Sequence, residues 1–173
     1  MAGGGWHVGQ GPVWGGAVGP NPTDRGKNGS KKSLLTDGAG GPLAVVVAAA
    51  NVNDDQLLQQ TLDAMIVARP RQGQNRTQHL SLDKGYDTPT GRRVPVRRHY
   101  IPHLRRRGEA PTPKAARKHP ARRWVVERTF AWLSKCRAIL VRYDKKPKHY
   151  LGLLQFACAL LWYRRLLLKQ ARN

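Results

Sequence analysis

Apolar residues recur along this chain in two rhythms that divide it into elements. Two short apolar runs, Lys31-Lys-Ser-Leu-Leu-Thr36 and Pro42-Leu-Ala-Val-Val-Val47, flank Asp37-Gly-Ala-Gly-Gly41, the composition of a β-hairpin. The unbroken apolar run over residues 43–47 reads as a strand covered on both faces, as in a mixed sheet flanked by helices. The period then changes. After Asn51-Val-Asn-Asp54, where Asn53 or Asp54 can cap a helix, Leu57, Leu58, Thr61, Leu62, Met65 and Ile66 follow at helical spacing. Residues 69–78 form a polar, basic loop, and residues 79–82 a short strand ending at Asp83-Lys-Gly-Tyr-Asp87. Pro89, Gly91 and Pro95 keep whatever follows short or interrupted, and Pro102 puts a strand over residues 100–104 at a sheet edge. A basic loop over residues 105–123 leads to two helices, about 121–140 and about 148–169, separated by Tyr143-Asp-Lys-Lys-Pro147. The alternation of strands and helices predicts an α/β fold.

Residues 1–30 break this pattern. They are rich in Gly, Pro, Asn and Ser, bury too little apolar area to offset ordering entropy, and are expected to hold little regular structure. The domain proper is therefore drawn at residues 31–173. Gly26-Lys27-Asn28 is not a phosphate loop, because no strand precedes it and Asn stands where a Ser or Thr would hold magnesium. The apolar stretch over residues 150–163 falls short of the roughly 20 residues that span a bilayer, so it reads as a core helix and no membrane partner is expected. Cys136 and Cys158 lack zinc or redox spacing and read as buried thiols in a reducing, cytoplasmic compartment.

Charge then narrows the function. Lys and Arg number 31 against 10 acids, a net charge of +21, which points to a polyanionic partner. If 6–10 phosphates are contacted, affinity falls roughly 10³–10⁵-fold between 50 and 200 mM salt. Against that background isolated carboxylates stand out. Glu127 sits in the apolar helical segment Ala121-Arg-Arg-Trp-Val-Val-Glu-Arg-Thr-Phe-Ala-Trp-Leu133, at what reads as a half-buried position, and Asp83 ends a strand. Magnesium takes one or two protein carboxylates, completed by water and substrate phosphate, and an Asp at a strand end can meet a Glu on a helix packed over it. Spacing alone leaves two alternatives open: Glu127 paired with Arg123 at i−4, and Asp83 as a turn residue bonding its own backbone. Lys84 and Tyr86 stand beside Asp83 as candidate phosphate contacts. Arg105, Arg106, Arg107, Arg122, Arg123 and Arg128 are candidates for a DNA path that gives affinity without reading sequence.

A set of blocks carries a resemblance. Gly19-Pro-Asn-Pro-Thr-Asp-Arg-Gly-Lys27, Gly29-Ser-Lys-Lys-Ser33, Asp37-Gly38, Pro42-Leu43, Ala50-Asn51 with Asp54, Asp83-Lys-Gly-Tyr-Asp87, Arg123-Trp-Val-Val-Glu-Arg-Thr129 and Ala157-Cys-Ala-Leu160 occur in that order. Over about residues 15–165 the chain resembles DDE transposases of the insertion-sequence-five group. The resemblance implies a ribonuclease-H-like mixed sheet and magnesium-dependent cutting of DNA and joining of 3′ ends. It further implies a homo-oligomer holding transposon ends and target, and residence on the nucleoid. It makes Asp83 the second acid of a catalytic triad and Glu127 the third, both magnesium ligands, with Arg123 the basic residue four before the Glu.

The same resemblance exposes a gap. The family's first Asp lies on a strand upstream of the Gly-Pro-Asn-Pro segment, whereas here the first acid of the chain is Asp24, within the loop that follows. The expectation is a sheet whose N-terminal strand is incomplete or missing and a chain that binds magnesium weakly or not at all. A truncated or frameshifted origin follows from this, with the upstream-frame transposase portion as a partner. The alternative reading is a non-catalytic basic DNA-binding or regulatory fragment; an RNA-packing protein explains the charge but neither acid.

Overall fold

The computed structural model describes residues 2–10, 15–22, 27–68, 77–104 and 123–171. Six strands form one mixed sheet: β1 (Ala2–Gln10), β2 (Gly19–Pro20), β3 (Asn28–Thr36), β4 (Pro42–Ala49), β5 (Gln78–Ser81) and β6 (Tyr100–His103). Across the sheet β4 pairs with β3, then come β1, β5 and β6, while β2 extends the β4 side of β3 at Asn28 and Gly29. The β3–β4 and β1–β3 pairs are antiparallel; β1–β5 and β5–β6 are parallel. The mixed α/β expectation holds, and so does the predicted hairpin. Asp37 closes it, its Oδ1 accepting from the amides of Ala39 (2.9 Å) and Gly41 (2.6 Å).

The N-terminal segment corrects the sequence reading. Ala2–Gln10 is not irregular and the first strand of the sheet is not missing: β1 is the central strand, paired with β3 from Gly3↔Thr36 to Gln10↔Gly29. Its glycines contribute no apolar area. A strand with neighbours on both edges has its backbone donors and acceptors met by pairing instead, a stabilisation that composition does not register.

Five helices cover the sheet: α1 (Asp54–Asp63), α2 (Pro89–Arg97), α3 (Arg123–Leu133), α4 (Arg137–Leu140) and α5 (Pro147–Gln170). Strand alternation sorts β3 cleanly. Leu35 joins Leu58, Leu62, Leu80, Tyr86 and Val94 beneath α1 and α2. Leu34 joins Val126, Leu133, Ile139, Tyr150 and Leu154 beneath α3, α4 and α5. The strand's two lysines divide the same way. Lys31 pairs with Asp54 at 2.8 Å, and Lys32 reaches the Ile139 carbonyl at 3.2 Å, where burial lowers its pKa.

Helix boundaries depart from expectation in three places. The segment around Pro89 and Pro95 is a nine-residue helix. Thr88 caps it, its Oγ1 accepting from the Gly91 amide at 3.0 Å, Pro89 takes the first turn, and Pro95 falls in the last. Gly91 is required there, since a Cβ would stand 2.0 Å from the Tyr86 carbonyl oxygen. The helix expected over about 121–140 is broken between Leu133 and Arg137. Leu133 and Ile139 are both buried in one cluster, and a six-residue separation would place them far apart around a single helix. The last helix is only partly a core helix: Tyr150, Leu154, Ala157 and Cys158 are buried, whereas Phe156, Tyr163 and Leu166 are exposed. By length and composition α5 could cross a bilayer, but its buried face packs on the sheet.

One buried cation ties the chain's two ends to this frame. Arg142, 1 % exposed, donates all five guanidinium N–H bonds: to the carbonyls of Gly16 (2.7 Å), Ala17 (3.0 Å), Asp144 (2.8 Å) and Lys145 (3.0 Å), and to Ser30 Oγ (2.7 Å). Ser30 Oγ also donates to the Ala17 carbonyl, so two donors hold Ala17 in its left-handed conformation, φ 56°. Arg142 lies over the Tyr150 ring at 5.7 Å, and burial pushes the Tyr150 phenol up to about 12. Replacing Arg142 with Met removes all five of these hydrogen bonds and is expected to lower unfolding free energy by at least about 3 kcal/mol in urea titration. Arg142→Lys, which cannot present the planar fork, should recover less than half; stability within experimental error of wild type in Arg142→Met would contradict the pinning role.

Candidate functional site

Asp83 leaves the carboxyl end of β5 and opens a short 3-10 turn over Lys84–Tyr86. Its Oδ1 accepts from the Lys84 amide at 2.7 Å, and its carbonyl accepts from the Tyr86 amide at 3.0 Å. The turn-residue reading is thus present, and it leaves the carboxylate half-buried at the strand end. Lys84 is exposed. Tyr86 is not available to substrate: it is 1 % exposed, and burial, then the Asp54 carboxylate, raise its phenol pKa against the pull of Ser33.

Glu127 lies on α3 and is exposed rather than half-buried. The residue before it, Val126, packs on β1: a Cβ built on Gly5 would stand 2.5 Å from Val126 Cγ1. The parallel register Ala2↔Leu80, Gly3↔Ser81, carried two residues onward, sets Gly5 level with Asp83. The elements bearing Asp83 and Glu127 therefore flank the central strand at one level, and the residue between them is a glycine facing α3. Among the described residues no three His, Cys, Asp or Glu side chains gather as metal ligands. Taken together, Asp83 and Glu127 would offer a metal two carboxylates, a set that does not fit a shared two-ion arrangement.

The basic candidates separate. Arg105, Arg106, Arg107 and Arg122 lie outside the described residues; Arg123 begins α3. Arg128 is engaged internally. Its guanidinium lies 4.7 Å from the Trp124 ring and 5.0 Å from Trp132, and Nη2 donates to the Ala39 carbonyl at 2.7 Å. Arg165 of α5 continues the ladder at 5.6 Å from Trp132 and 5.5 Å from Trp162, and it too donates to Ala39. Thr129 donates to the Gly40 carbonyl at 2.8 Å, and Trp162 Nε1 to that of Pro42 at 2.8 Å. Four side chains from two helices thus clamp the β3–β4 turn, where Gly40 adopts φ +87°. Sequence reading assigned none of Thr129, Trp162, Arg165 and Arg142. The Trp124–Arg128–Trp132 stripe at i, i+4, i+8 was the available signal, since that spacing stacks a cation between indoles.

This sheet order, with α3 laid across its central strand, is that of a ribonuclease-H-like core. The family profile described as Transposase DDE domain matches residues 5–162, nearly the whole chain, and the chain belongs to that family. It is 36% identical over 156 residues to the putative transposase for insertion sequence element IS402 of Burkholderia cepacia, covering 86% of this chain and 70% of that protein.

The clamp and the exposed acid on α3 should respond differently to substitution. Thr129→Val, nearly isosteric, leaves the buried Gly40 carbonyl without its donor and is expected to cost about 1–3 kcal/mol in urea unfolding. Glu127→Gln, on the exposed face, should stay within about 0.5 kcal/mol of wild type. A large loss in Glu127→Gln would make the acid a fold residue and remove the case for a chemical role.

Proposed function

We propose that this chain is the core domain of a DNA transposase whose complete form cuts and joins element ends, and that as it stands it holds DNA without efficient strand transfer. The observation that carries the reading is the close approach of the Glu127 helix to Gly5 on the central strand, a position that the β1–β5 register, continued past Gly3↔Ser81, sets opposite Asp83. In this reading Asp83 and Glu127 are the two acids present of a site that needs three carboxylates, and Lys84 beside Asp83 attracts a phosphate. Because the donor set does not fit a two-ion site, no step of phosphodiester transfer is assigned to a metal here.

DNA affinity comes from charge. Much of the basic surface is exposed: Arg93 and Arg97 sit one turn apart on α2, and Lys145, Lys146 and Lys148 lead into α5. With Arg105, Arg106, Arg107, Arg122 and Arg123 they supply contacts to the phosphate backbone, which position DNA but do not read its sequence. A regulatory role follows from the same arrangement: a domain that grips ends without transferring them competes with an active transposase.

The purified chain is expected to bind duplex DNA with affinity falling roughly 10³-fold or more between 50 and 200 mM salt, and to show little magnesium-dependent strand transfer. Asp83→Ala should leave binding unchanged. Gly5→Asp combined with Val126→Ala, the second change making room for the new side chain, should raise magnesium affinity by titration calorimetry and bring nicking above the wild-type level. Robust magnesium-dependent cleavage by the wild-type chain, lost in Glu127→Ala, would overturn the silent-site reading. Salt-insensitive binding, or a preference for RNA in direct competition, would overturn the DNA reading.

A further inference from the structure

The outward side of α5 carries Leu153, Phe156, Leu160, Tyr163 and Leu167, exposed at 38%, 64%, 42%, 60% and 46%. Their spacing alternates three and four residues, the a/d seam of a coiled coil, and it is distinct from the buried set of Tyr150, Leu154, Ala157 and Cys158. With Leu166 beside it, the stripe presents on the order of several hundred Å² of apolar surface, the size of the largest and often functional patch of a typical monomer and a large part of the ~800 Å² per partner of a standard interface.

From these residues we infer that this seam is where a second copy of the chain docks, helix α5 against helix α5. A three-four spaced stripe is complementary to itself, each side chain entering the hole formed by four on the facing helix. Between His149 and Arg164 the helix has no charged residue, so the contact is not opposed along its length. Gly152, next to the seam, has nothing within 4 Å of a Cβ position, leaving open space for close approach. At the two ends Lys145, Lys146 and Lys148 and then Arg164 and Lys169 place like charges on both copies in either orientation. Screening relieves that repulsion, so self-association tightens with salt, opposite to DNA binding.

Sedimentation velocity over a concentration series tests this, from about 0.1 M to about 1 M sodium chloride, over which the Debye length falls from about 10 to about 3 Å. The expected result is a monomer–dimer equilibrium with a micromolar or tighter Kd that strengthens with salt. Phe156→Glu and Tyr163→Glu each weaken it at least about tenfold, one decade being about 1.4 kcal/mol. Leu168→Glu, exposed but on the line of the buried face beyond the sheet, leaves it unchanged, and circular dichroism confirms that all three variants fold. A monomer at every concentration and salt overturns the proposal, as does equal loss in Leu168→Glu. Binding of the monomer to phosphatidylcholine vesicles, abolished in Phe156→Glu, would assign the seam to lipid and overturn it as well.

Discussion

The clamp on the β3–β4 turn is the constraint on which the rest of this structure depends. Thr129 and Arg128 from α3, with Arg165 and Trp162 from α5, converge on the carbonyls of Ala39, Gly40 and Pro42. A hairpin turn alone is a poor anchor, exposed and mobile. Held by donors from two helices, it becomes the joint that fixes how both lie on the sheet. Thr129 is fully buried and Glu127, two residues earlier, is exposed, so one rotation of α3 about its axis serves both. Were that rotation free, the acid would have no defined direction relative to the end of β5.

The two faces of α3 also explain why its sequence block was legible and partly misread. Val125, Val126 and Leu133 follow helical spacing and are buried, as an apolar pattern dictates. The neighbouring Arg128 looked like a solvated or DNA-facing cation because charge is counted residue by residue. The Trp124 and Trp132 rings that stack on it lie on its own helix, but the Ala39 carbonyl it donates to belongs to the distant β3–β4 turn, and no local pattern contains that partner. Arg142 is the stronger case. It sits in a short polar stretch between helices, yet its acceptors come from Gly16, Ala17 and Ser30 at the far end of the chain. A buried guanidinium with all donors met is a product of tertiary assembly, and only assembly reveals it.

The N-terminal strand failed in the other direction. Burial arguments rightly found nothing in Ala2–Gln10 to drive folding, but β1 is held by backbone pairing with β3 along eight register positions and by its place beside β5. The absence of a side chain at Gly5 has a consequence, since α3 comes so close there that a Cβ would overlap Val126. The hairpin, the first helix and the strand leading to Asp83 were each readable, because each obeys one local period. The level of Asp83 against Gly5 was not, since register between parallel strands is set by whole-sheet pairing.

The net charge of +21 takes a different meaning once the charges are located. Lys31 is paired with Asp54, Lys32 is bonded to a carbonyl under α4, and Arg142, Arg128 and Arg165 are engaged with backbone carbonyls and aromatic rings. Five cations thus act within the fold, each on a carbonyl oxygen, with Lys31 on that of Val52 as well as on Asp54. A carbonyl is a partial charge, so Lys32, Arg128 and Arg142 keep their positive charge although donors are spent inside the fold, whereas Lys31 is offset by Asp54. Those cations contribute to the long-range field that draws a polyanion but not to direct phosphate contacts, and the salt dependence of binding counts the second kind. The slope of affinity with salt should therefore report the cations on α2 and around α5 together with Arg105, Arg106, Arg107, Arg122 and Arg123, and be shallower than the overall charge suggests.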